Sequence, residues 1–173
     1  MFGTTMAKTE MKMSRATFKR FKDLIYEKAG IALNDKKYTL VSTRVAKRLR
    51  KLKLTDYTEY FELVAADDSG AELTELLNVI STNTTHFFRE ARHFEILTEI
   101  MSKWEKEGQT RFRLWCAAAS TGQEPYTIAM TLAECLQSLY DVKLLATDIS
   151  TKVLGTARDG DRKSTRLNSS HYS

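Results

Sequence analysis

The chain has 173 residues, 42% of them hydrophobic and 28% charged, and a formal net charge of +5. This length and composition fit a soluble globular protein with one medium domain or two small ones. No apolar run reaches the roughly 20 residues that cross a bilayer, and the stretch MFGTTMAKTEMKMSR lacks the apolar segment of a secretory signal. We therefore expect a cytoplasmic protein that does not insert into a membrane.

The first predicted helix covers residues 15–29. Ser14 can cap its start, and Gly30 suits the left-handed residue that ends a helix. Three apolar residues share one face of this segment at helical spacing: Phe18, Phe21 and Ile25.

Three more helices are predicted before residue 81. Asp35 and Asp56 are expected to cap the second and the third, and a fourth is expected around residues 73–80. These patterns predict an all-helical domain over residues 14–80, preceded by a flexible amino terminus over residues 1–13.

The second predicted helix concentrates positive charge. Between Lys36 and Lys53 the sequence has eight basic residues and no acidic one. Apolar residues recur there in steps of three and four, so the basic side chains flank one apolar face. Such a flank is either solvated surface or a docking site for an acidic partner.

A polar stretch, residues 81–85, is predicted to be an extended linker. The helix predicted after it has an apolar stripe and ends at Gly108. Residues 81–108 are therefore expected to form a linker and a long connecting helix. Its stripe consists of Phe87, Phe94, Leu97, Met101 and Trp104.

After Gly108 the pattern changes to strand, turn, helix and strand. RFRLWC and VKLLATDI alternate as strands, and the stretch between them has a helical period. A βαβ unit of this kind is normally parallel, so we expect an α/β domain over residues 109–160. The remaining residues, 161–173, have no period and few large apolar side chains, which predicts a disordered tail.

The turn after the first predicted strand is the candidate ligand site. Residues 117–122, AAASTG, are small, and Asp148 follows the second strand. A single glycine argues against a dinucleotide pyrophosphate, and Glu124 favours a cationic ligand such as S-adenosylmethionine. From the residues alone, a purely structural tight turn stays open.

No metal site and no catalytic residue are predicted. Cys116 and Cys135 have no metal-ligand spacing and are expected to be reduced core residues. The three histidines, His86, His93 and His171, show no metal-ligand spacing either, and we assign them no catalytic role.

Three segments, STNTTHFFRE, AAASTGQEPYTIAM and ATDIS, occur in this order and resemble the chemotaxis receptor methyltransferases of the CheR type. The resemblance covers residues 14–160. It implies an all-helical receptor-docking domain followed by the first part of a Rossmann-like S-adenosylmethionine-dependent methyltransferase domain. It also implies methylation of glutamate side chains of methyl-accepting chemotaxis receptors, in bacterial chemotaxis adaptation, with S-adenosyl-L-methionine as the cofactor.

The resemblance assigns five residues to the cofactor. Asn83, Thr85 and Arg89 would line the site from the linker side, Glu124 would contact the cofactor, and Asp148 would bind the ribose. Each has a simpler alternative. Asn83 and Thr85 could cap the long helix, and Arg89 could be solvated. Glu124 could serve the helix dipole, and Asp148 could cap the next helix.

The resemblance also places the receptor on the basic helix. The candidates for docking the acidic cytoplasmic domain of the receptor are Arg44, Lys47, Arg48 and Lys51. The protein is expected to bind the receptor as a monomer. The alternatives are a basic binding module without an enzymatic function and an RNA methyltransferase that acts on nucleic acid. We expect the receptor and no nucleic acid.

Methyl transfer to a glutamate needs no general base, because a carboxylate with a reference pKa of about 4.3 is already ionised at neutral pH.

Family members continue well past residue 160, and after ARDG this sequence no longer follows them. We therefore expect a truncated chain with a non-native tail that is inactive as a methyltransferase.

Overall fold

The computed structural model of the chain describes residues 12–160. The chain divides after Ser81 into two compact units, unit 1 before this boundary and unit 2 after it. The predicted disordered tail and residues 1–11 of the predicted flexible amino terminus lie outside the described residues. Within the described part, no helix has the length and apolar character that crossing a membrane would demand.

Unit 1 packs four helices around one apolar core. They are α1 (Arg15–Ala29), α2 (Tyr38–Leu52), α3 (Tyr57–Ala65) and α4 (Ala71–Ile80), with a 3-10 turn, Asp35–Lys37, before α2. Each helix buries the face that its apolar period predicted, because only that face can leave water when the helices meet. The most enclosed side chains include Phe21, Tyr60 and Leu76.

The ends of α1 agree with the prediction, whereas the start of α2 does not. The Oγ of Ser14 accepts a hydrogen bond from the backbone N–H of Thr17 at 3.0 Å, and Gly30 ends α1 with φ 67°. The prediction that Asp35 caps α2 is wrong. Its carboxylate makes no cap hydrogen bond to α2 and instead pairs with the Nζ of Lys22 at 3.0 Å.

Met13, which the prediction placed in the flexible amino terminus, belongs to the core of unit 1. The side chain of Met13 is 2% exposed, and its carbonyl accepts a hydrogen bond from the Tyr38 hydroxyl. The prediction of flexibility is therefore wrong for this residue, because an apolar side chain directly before α1 reaches the core.

A buried ion pair joins α2 to α4. The guanidinium of Arg48 donates to both carboxylate oxygens of Glu72, at 2.8 and 2.6 Å, and to Glu75 at 2.9 Å. The hydroxyl of Tyr60 donates to Glu72 at 2.8 Å. Burial raises the pKa of Glu72, but the hydrogen bonds from Arg48 and Tyr60 outweigh it, so this pKa lies below its ordinary value. The network thus depends on an ionised Glu72.

Unit 2 has the predicted α/β order. Its described elements are α5 (Ala91–Lys106), β1 (Phe112–Cys116), α6 (Gln123–Cys135), β2 (Val142–Ala146) and α7 (Thr151–Asp159). The two strands are parallel, with Leu114 opposite Leu144, which confirms the βαβ unit and the α/β fold class after a helical domain. Met101, Phe112, Leu132 and Leu136 form its small core.

The long helix of unit 2 begins later than predicted. Its first residue is Ala91, and both Phe88 and Glu90 have a left-handed backbone, with φ 55° and 56°. Residues in that conformation interrupt a right-handed helix. The prediction that Phe87 belongs to the stripe of this helix is therefore wrong.

Among the residues that the structure describes, nothing covers one face of the sheet. Trp115 and Leu145, which are partners in the strand register, are 69% and 60% exposed. Side chains alternate along a strand, so these two lie opposite the face of Phe112 and Cys116, which are buried. A two-stranded sheet with an open apolar face is marginal by itself in water.

Unit 1 should lose stability in acid. The pKa values of Asp56, Asp67 and Glu72 all lie below their ordinary values. A carboxyl group of this kind stabilises the fold above its unfolded pKa of about 4, and the contribution is lost as the pH falls through the lower folded pKa. Urea unfolding at pH 7 and pH 3, followed by circular dichroism, with amide exchange in α2 and α4, measures the effect.

The variant Glu72→Gln isolates the buried pair. The amide keeps one acceptor oxygen for Arg48 but removes the negative charge and replaces the second acceptor with a donor, so we expect a loss of about 2–3 kcal/mol at neutral pH and a weaker dependence on pH. Glu59→Gln, at an exposed position of α3, is the matched control and should change little. Equal effects of the two substitutions would contradict the role given to Glu72.

Candidate functional site

The turns that follow β1 and β2 lie side by side at one edge of the sheet. The N–H of Ala119 donates to Thr147 O, and the N–H of Thr147 donates to Cys116 O, both at 2.9 Å. Parallel strands end at the same edge, so this arrangement follows from the βαβ order. It places the predicted ligand turn, residues 117–122, beside the segment that carries Asp148.

Ser120 connects three parts of unit 2. Its backbone N–H donates to Asp148 Oδ2 at 2.8 Å, and its Oγ donates to the carbonyl of Asn83 at 3.1 Å. The residue is buried and has φ 48°. Sequence reasoning did not single it out, and a hydroxyl in a turn of alanines was the one signal present. Through Ser120 the linker, the turn after β1 and the turn after β2 meet at one point.

Asp148 is half-buried and held in a fixed orientation. Besides the Ser120 amide, it accepts the N–H of Ser150 on Oδ1 at 2.8 Å. This second bond lies directly before α7, whose N-cap residue is Ser150 without a side-chain cap hydrogen bond, so the alternative that Asp148 caps this helix is wrong. Each carboxylate oxygen has further acceptor capacity, so the same side chain is able to accept hydrogen bonds from hydroxyl groups of a ligand.

Asn83 and Thr85 lie in the extended segment before α5, as the linker prediction required. Both are half-buried, and α5 begins at Ala91, well after them. The alternative that they cap α5 is therefore wrong. The structure brings the backbone of Asn83 to the turn through Ser120, and Thr85 lies two residues further along the same segment.

Arg89 and Glu124 line one cavity of about 340 Å³ in unit 2. Glu90, His93 and three apolar residues also line it: Phe94, Leu97 and Ile128. The guanidinium of Arg89 donates to the carbonyl of Thr84 at 3.0 Å, which ties this arginine back to the linker. The cavity therefore combines a cation, two carboxylates and an apolar wall.

Backbone conformations that are unfavourable for side chains concentrate around this site. Of the four described non-glycine residues with positive φ, three lie either between the linker and α5 or in the turn after β1: Phe88, Glu90 and Ser120. Such conformations cost about 1–3 kcal/mol each and persist where the surrounding contacts fix them. Their clustering is a further reason to treat this region as functional.

The single glycine of the turn serves close packing. Gly122 has φ 102°, and a Cβ at this position would lie 3.0 Å from the ring of Tyr126 and 3.1 Å from the Cα of Ala157. The hydroxyl of Tyr126 donates to the carbonyl of Ala157 at 2.8 Å. The glycine thus lets the start of α6 approach α7, and its role in this turn is packing between helices.

The polar groups of the site fit S-adenosylmethionine better than they fit a phosphate. Residues 117–124 contain no basic side chain, whereas Glu124 and Asp148 supply carboxylates at the same edge of the sheet. Carboxylates suit an ammonium group and ribose hydroxyl groups, and they repel a pyrophosphate. Arg89 supplies the one positive charge among the residues predicted for the cofactor.

Two of the four predicted docking residues are already engaged inside unit 1. Arg48 is 8% exposed and is bound to Glu72 and Glu75, so its assignment to a docking surface is wrong. Arg44 is half-buried and donates to the carbonyls of Ile80 and Ser81 at the end of α4. The basic period of the sequence did not distinguish charges that point inward from charges that point outward.

Lys47 and Lys51 remain as surface charges. Both are exposed, and within residues 12–160 neither has an ion-pair partner. They lie four residues apart and therefore on one side of α2. They present positive charge that an acidic partner is able to contact.

Of the two cysteines expected in the core, Cys116 is buried and Cys135 is only half-buried. Cys116 and Cys135 are both free, and burial raises the pKa of each thiol, which disfavours the reactive thiolate. Among residues 12–160 no group of histidine, cysteine and acidic side chains has the arrangement of a metal site.

Two family sequence models match the chain. The one described as CheR methyltransferase, all-alpha domain, matches residues 16–81, and the one described as CheR methyltransferase, SAM binding domain, matches residues 83–171. The second match extends beyond residue 160, where the sequence motifs had ended the resemblance. The two matches meet at the boundary between units 1 and 2.

Curated relatives match over the same part of the chain. The chemotaxis protein methyltransferases of Escherichia coli and Salmonella typhimurium are each 44% identical over 151 residues, which are 87% of this chain and 51% of the relative. A probable chemotaxis protein methyltransferase of Rhizobium etli is 44% identical over 144 residues, which are 79% of this chain and 53% of that protein. The chain thus spans about half the length of these relatives.

Gly122→Ala should disrupt unit 2. A side chain at φ 102° is strained and meets the backbone of α7, so we expect a loss of about 2 kcal/mol or more. Gly155→Ala is the matched control, because a Cβ there meets nothing within 4 Å inside α7; it should stabilise the protein by up to about 1 kcal/mol. Both tryptophans lie in unit 2, so unfolding followed by tryptophan fluorescence measures the stability of this unit in each variant. A neutral Gly122→Ala would contradict the packing role.

Proposed function

Because the chain belongs to the CheR methyltransferase family, we propose that it carries the docking domain and the first half of the catalytic domain of a protein-glutamate O-methyltransferase. The cofactor of the family domain is S-adenosyl-L-methionine. The proposed substrates are glutamate side chains of methyl-accepting chemotaxis receptors, and the proposed process is adaptation in chemotaxis. The domain boundaries proposed for this function are residues 14–80 for docking and 109–160 for the partial catalytic domain, with 81–108 between them.

The junction at Ser120 is the observation that supports this proposal most directly. It brings the linker carbonyl of Asn83 and the carboxylate of Asp148 to the turn after β1. In open α/β sheets, ligands bind outside the carboxyl ends of the strands, which is where these three residues meet. A turn that served only the fold would not require the linker to be bound there as well.

The proposed roles follow from the chemistry of each side chain. Asp148 would accept hydrogen bonds from the ribose, and Arg89 and Glu124 would hold the carboxylate and the ammonium of the amino-acid end. Asn83 and Thr85 would line the site from the linker. When bound, S-adenosylmethionine supplies a methyl group on a positively charged sulfur.

The residues of the chain have no proton to move in this reaction. The acceptor glutamate is ionised at neutral pH, so no general base is needed, and His93 is assigned no catalytic role although it lines the cavity. The protein contributes alignment of the acceptor carboxylate with the methyl group and exclusion of water from two opposite charges. This accounts for a site without a catalytic triad.

This chain as it stands is proposed to be inactive. Its sheet has two described strands, and one face of that sheet exposes Trp115 and Leu145 to water. A cofactor at the edge of such a sheet would stay largely solvated, and the displacement would lose the benefit of a dry site. Segments equivalent to the unmatched half of the relatives would be needed to enclose it.

The function is testable in a chimaera that joins residues 1–160 to the unmatched carboxyl-terminal half of the Escherichia coli relative. We expect the chimaera to transfer labelled methyl groups from S-adenosylmethionine to glutamates of a receptor cytoplasmic fragment, and the 173-residue chain to transfer none. Folding of both proteins is checked by circular dichroism. A folded chimaera without transfer would contradict the proposed function.

Two variants of the chimaera test the cofactor site. Asp148→Asn and Arg89→Met each remove a charge that holds the cofactor, and each should weaken binding of S-adenosylhomocysteine about tenfold or more. Lys143→Gln, at an exposed position of β2 away from the turn, is the control and should bind normally. Unchanged affinity of both site variants, measured by isothermal titration, would remove these two assignments.

Docking is proposed to use the exposed lysines of α2. The double variant Lys47→Glu and Lys51→Glu should bind an acidic receptor fragment about tenfold more weakly at low salt and show a flatter salt dependence, with cofactor affinity unchanged. Lys106→Glu with Lys143→Glu changes the net charge equally on unit 2 and should have little effect. Equal binding by the two double variants would mean that Lys47 and Lys51 are solvated surface.

Nucleic acid is the second candidate partner, because an exposed basic helix also suits phosphate. The same variants decide between the two partners when RNA replaces the receptor fragment in the binding measurement. Tighter binding of RNA than of the receptor fragment by the unaltered chain would favour the nucleic-acid function.

A further inference from the structure

Arg44 differs from the lysines that neighbour it on α2. Its side chain is half-buried, and one guanidinium nitrogen, Nη1, donates to the carbonyls of Ile80 and Ser81, the latter at 2.8 Å. These carbonyls belong to the last turn of α4 and to the residue that follows it. Carbonyls at the end of a helix lack partners within the helix and attract a cation. The charge of Arg44 is thus used within unit 1.

The position of this contact along the chain is what gives it a functional meaning. Ser81 is the last residue of unit 1, its backbone has already left the helical conformation with ψ 141°, and its Oγ donates to Leu77 O at 2.7 Å. The linker begins at the next residue. Arg44 and the Leu77 carbonyl therefore fix the peptide from which the linker departs.

The linker has no helix or strand of its own to hold it. From Ser81 to His86 the backbone forms no regular element, and Asn83 and Thr84 are held through their carbonyls by Ser120 and Arg89. Ordering such a segment costs conformational entropy, and residues whose backbone is already held by hydrogen bonds have less of it to lose. A linker fixed at its start is better prepared to bind a ligand along its length.

We infer that Arg44 is a positioning residue for the cofactor site: by binding the end of α4 it fixes the start of the linker that carries Asn83 and Thr85. This inference rests on the proposed function for its meaning and reassigns Arg44 from receptor docking to cofactor binding. Lys47 and Lys51 keep the docking role. One basic helix then holds charges with two different tasks, one on its surface and one at its contact with α4.

Amide exchange in the 173-residue chain tests the anchoring without any need for activity. Arg44→Met should speed exchange of the Ser81 amide, which is bonded to Leu77 O, and of the Phe88 amide, which is bonded to Thr127 Oγ1, by about fivefold or more. Arg50→Met is the matched control, because Arg50 is an exposed arginine of the same helix. It should leave both amides unchanged.

The outcomes separate anchoring from capping and from docking. Faster exchange at Ser81 and at Phe88 supports the inference. Faster exchange at Ser81 alone shows that Arg44 only caps α4, and unchanged exchange at both overturns the inference as well. Should Arg44→Met fail to fold by circular dichroism, Arg44→Lys keeps the charge but has one donor group, and an intermediate exchange rate is expected.

Binding measurements add the functional consequence. In the chimaera, Arg44→Met should weaken S-adenosylhomocysteine about fivefold and leave receptor affinity within about twofold of the unaltered protein. The reverse result, with receptor affinity reduced and cofactor affinity intact, would return Arg44 to the docking surface and overturn the inference. A chimaera that transfers no methyl groups would contradict the proposed function, whereas the exchange result would still decide the anchoring.

Discussion

The hydrogen bonds of Ser120 are the constraint on which the candidate site depends. A single residue in a left-handed backbone conformation binds Asp148 through its amide and the linker through its hydroxyl. These bonds join segments that are 28 and 37 residues away in the chain. The ends of β1 and β2 would be adjacent in any parallel βαβ unit, but the linker would not be. Ser120 therefore adds the linker to the two turns that a parallel βαβ unit already brings together at the carboxyl ends of its strands.

Positive charge on α2 has been divided between the interior and the surface by the packing of the helices. Arg48 and Arg44 face α4, where the carboxylates of Glu72 and Glu75 and the end of the helix satisfy them. Arginine suits both contacts because its planar guanidinium donates in several fixed directions. Lys47 and Lys51 stay exposed, which suits lysine because its ammonium group is strongly hydrated. The residue type thus agrees with the burial of each position.

The chemistry proposed for the family makes modest demands on this half of the protein. Transfer of an activated methyl group to an ionised acceptor requires alignment of the two groups and exclusion of water, and it requires no proton transfer. In the proposed function, the described residues would supply the alignment through the turn, the linker and Asp148. They do not exclude water from the site, because one face of the two-stranded sheet is open to water.

The sequence by itself determined the local structure and the family. Apolar periods placed the helices and both strands, and three short motifs identified the methyltransferase resemblance, because both kinds of signal are held in neighbouring residues. Only the tertiary structure decided that Arg48 is buried, that α5 starts at Ala91, that Gly122 serves the contact with Ala157, and that Ser120 is the junction. Each of these depends on contacts between residues far apart in the chain, and a local period carries no information about which distant groups a side chain will meet.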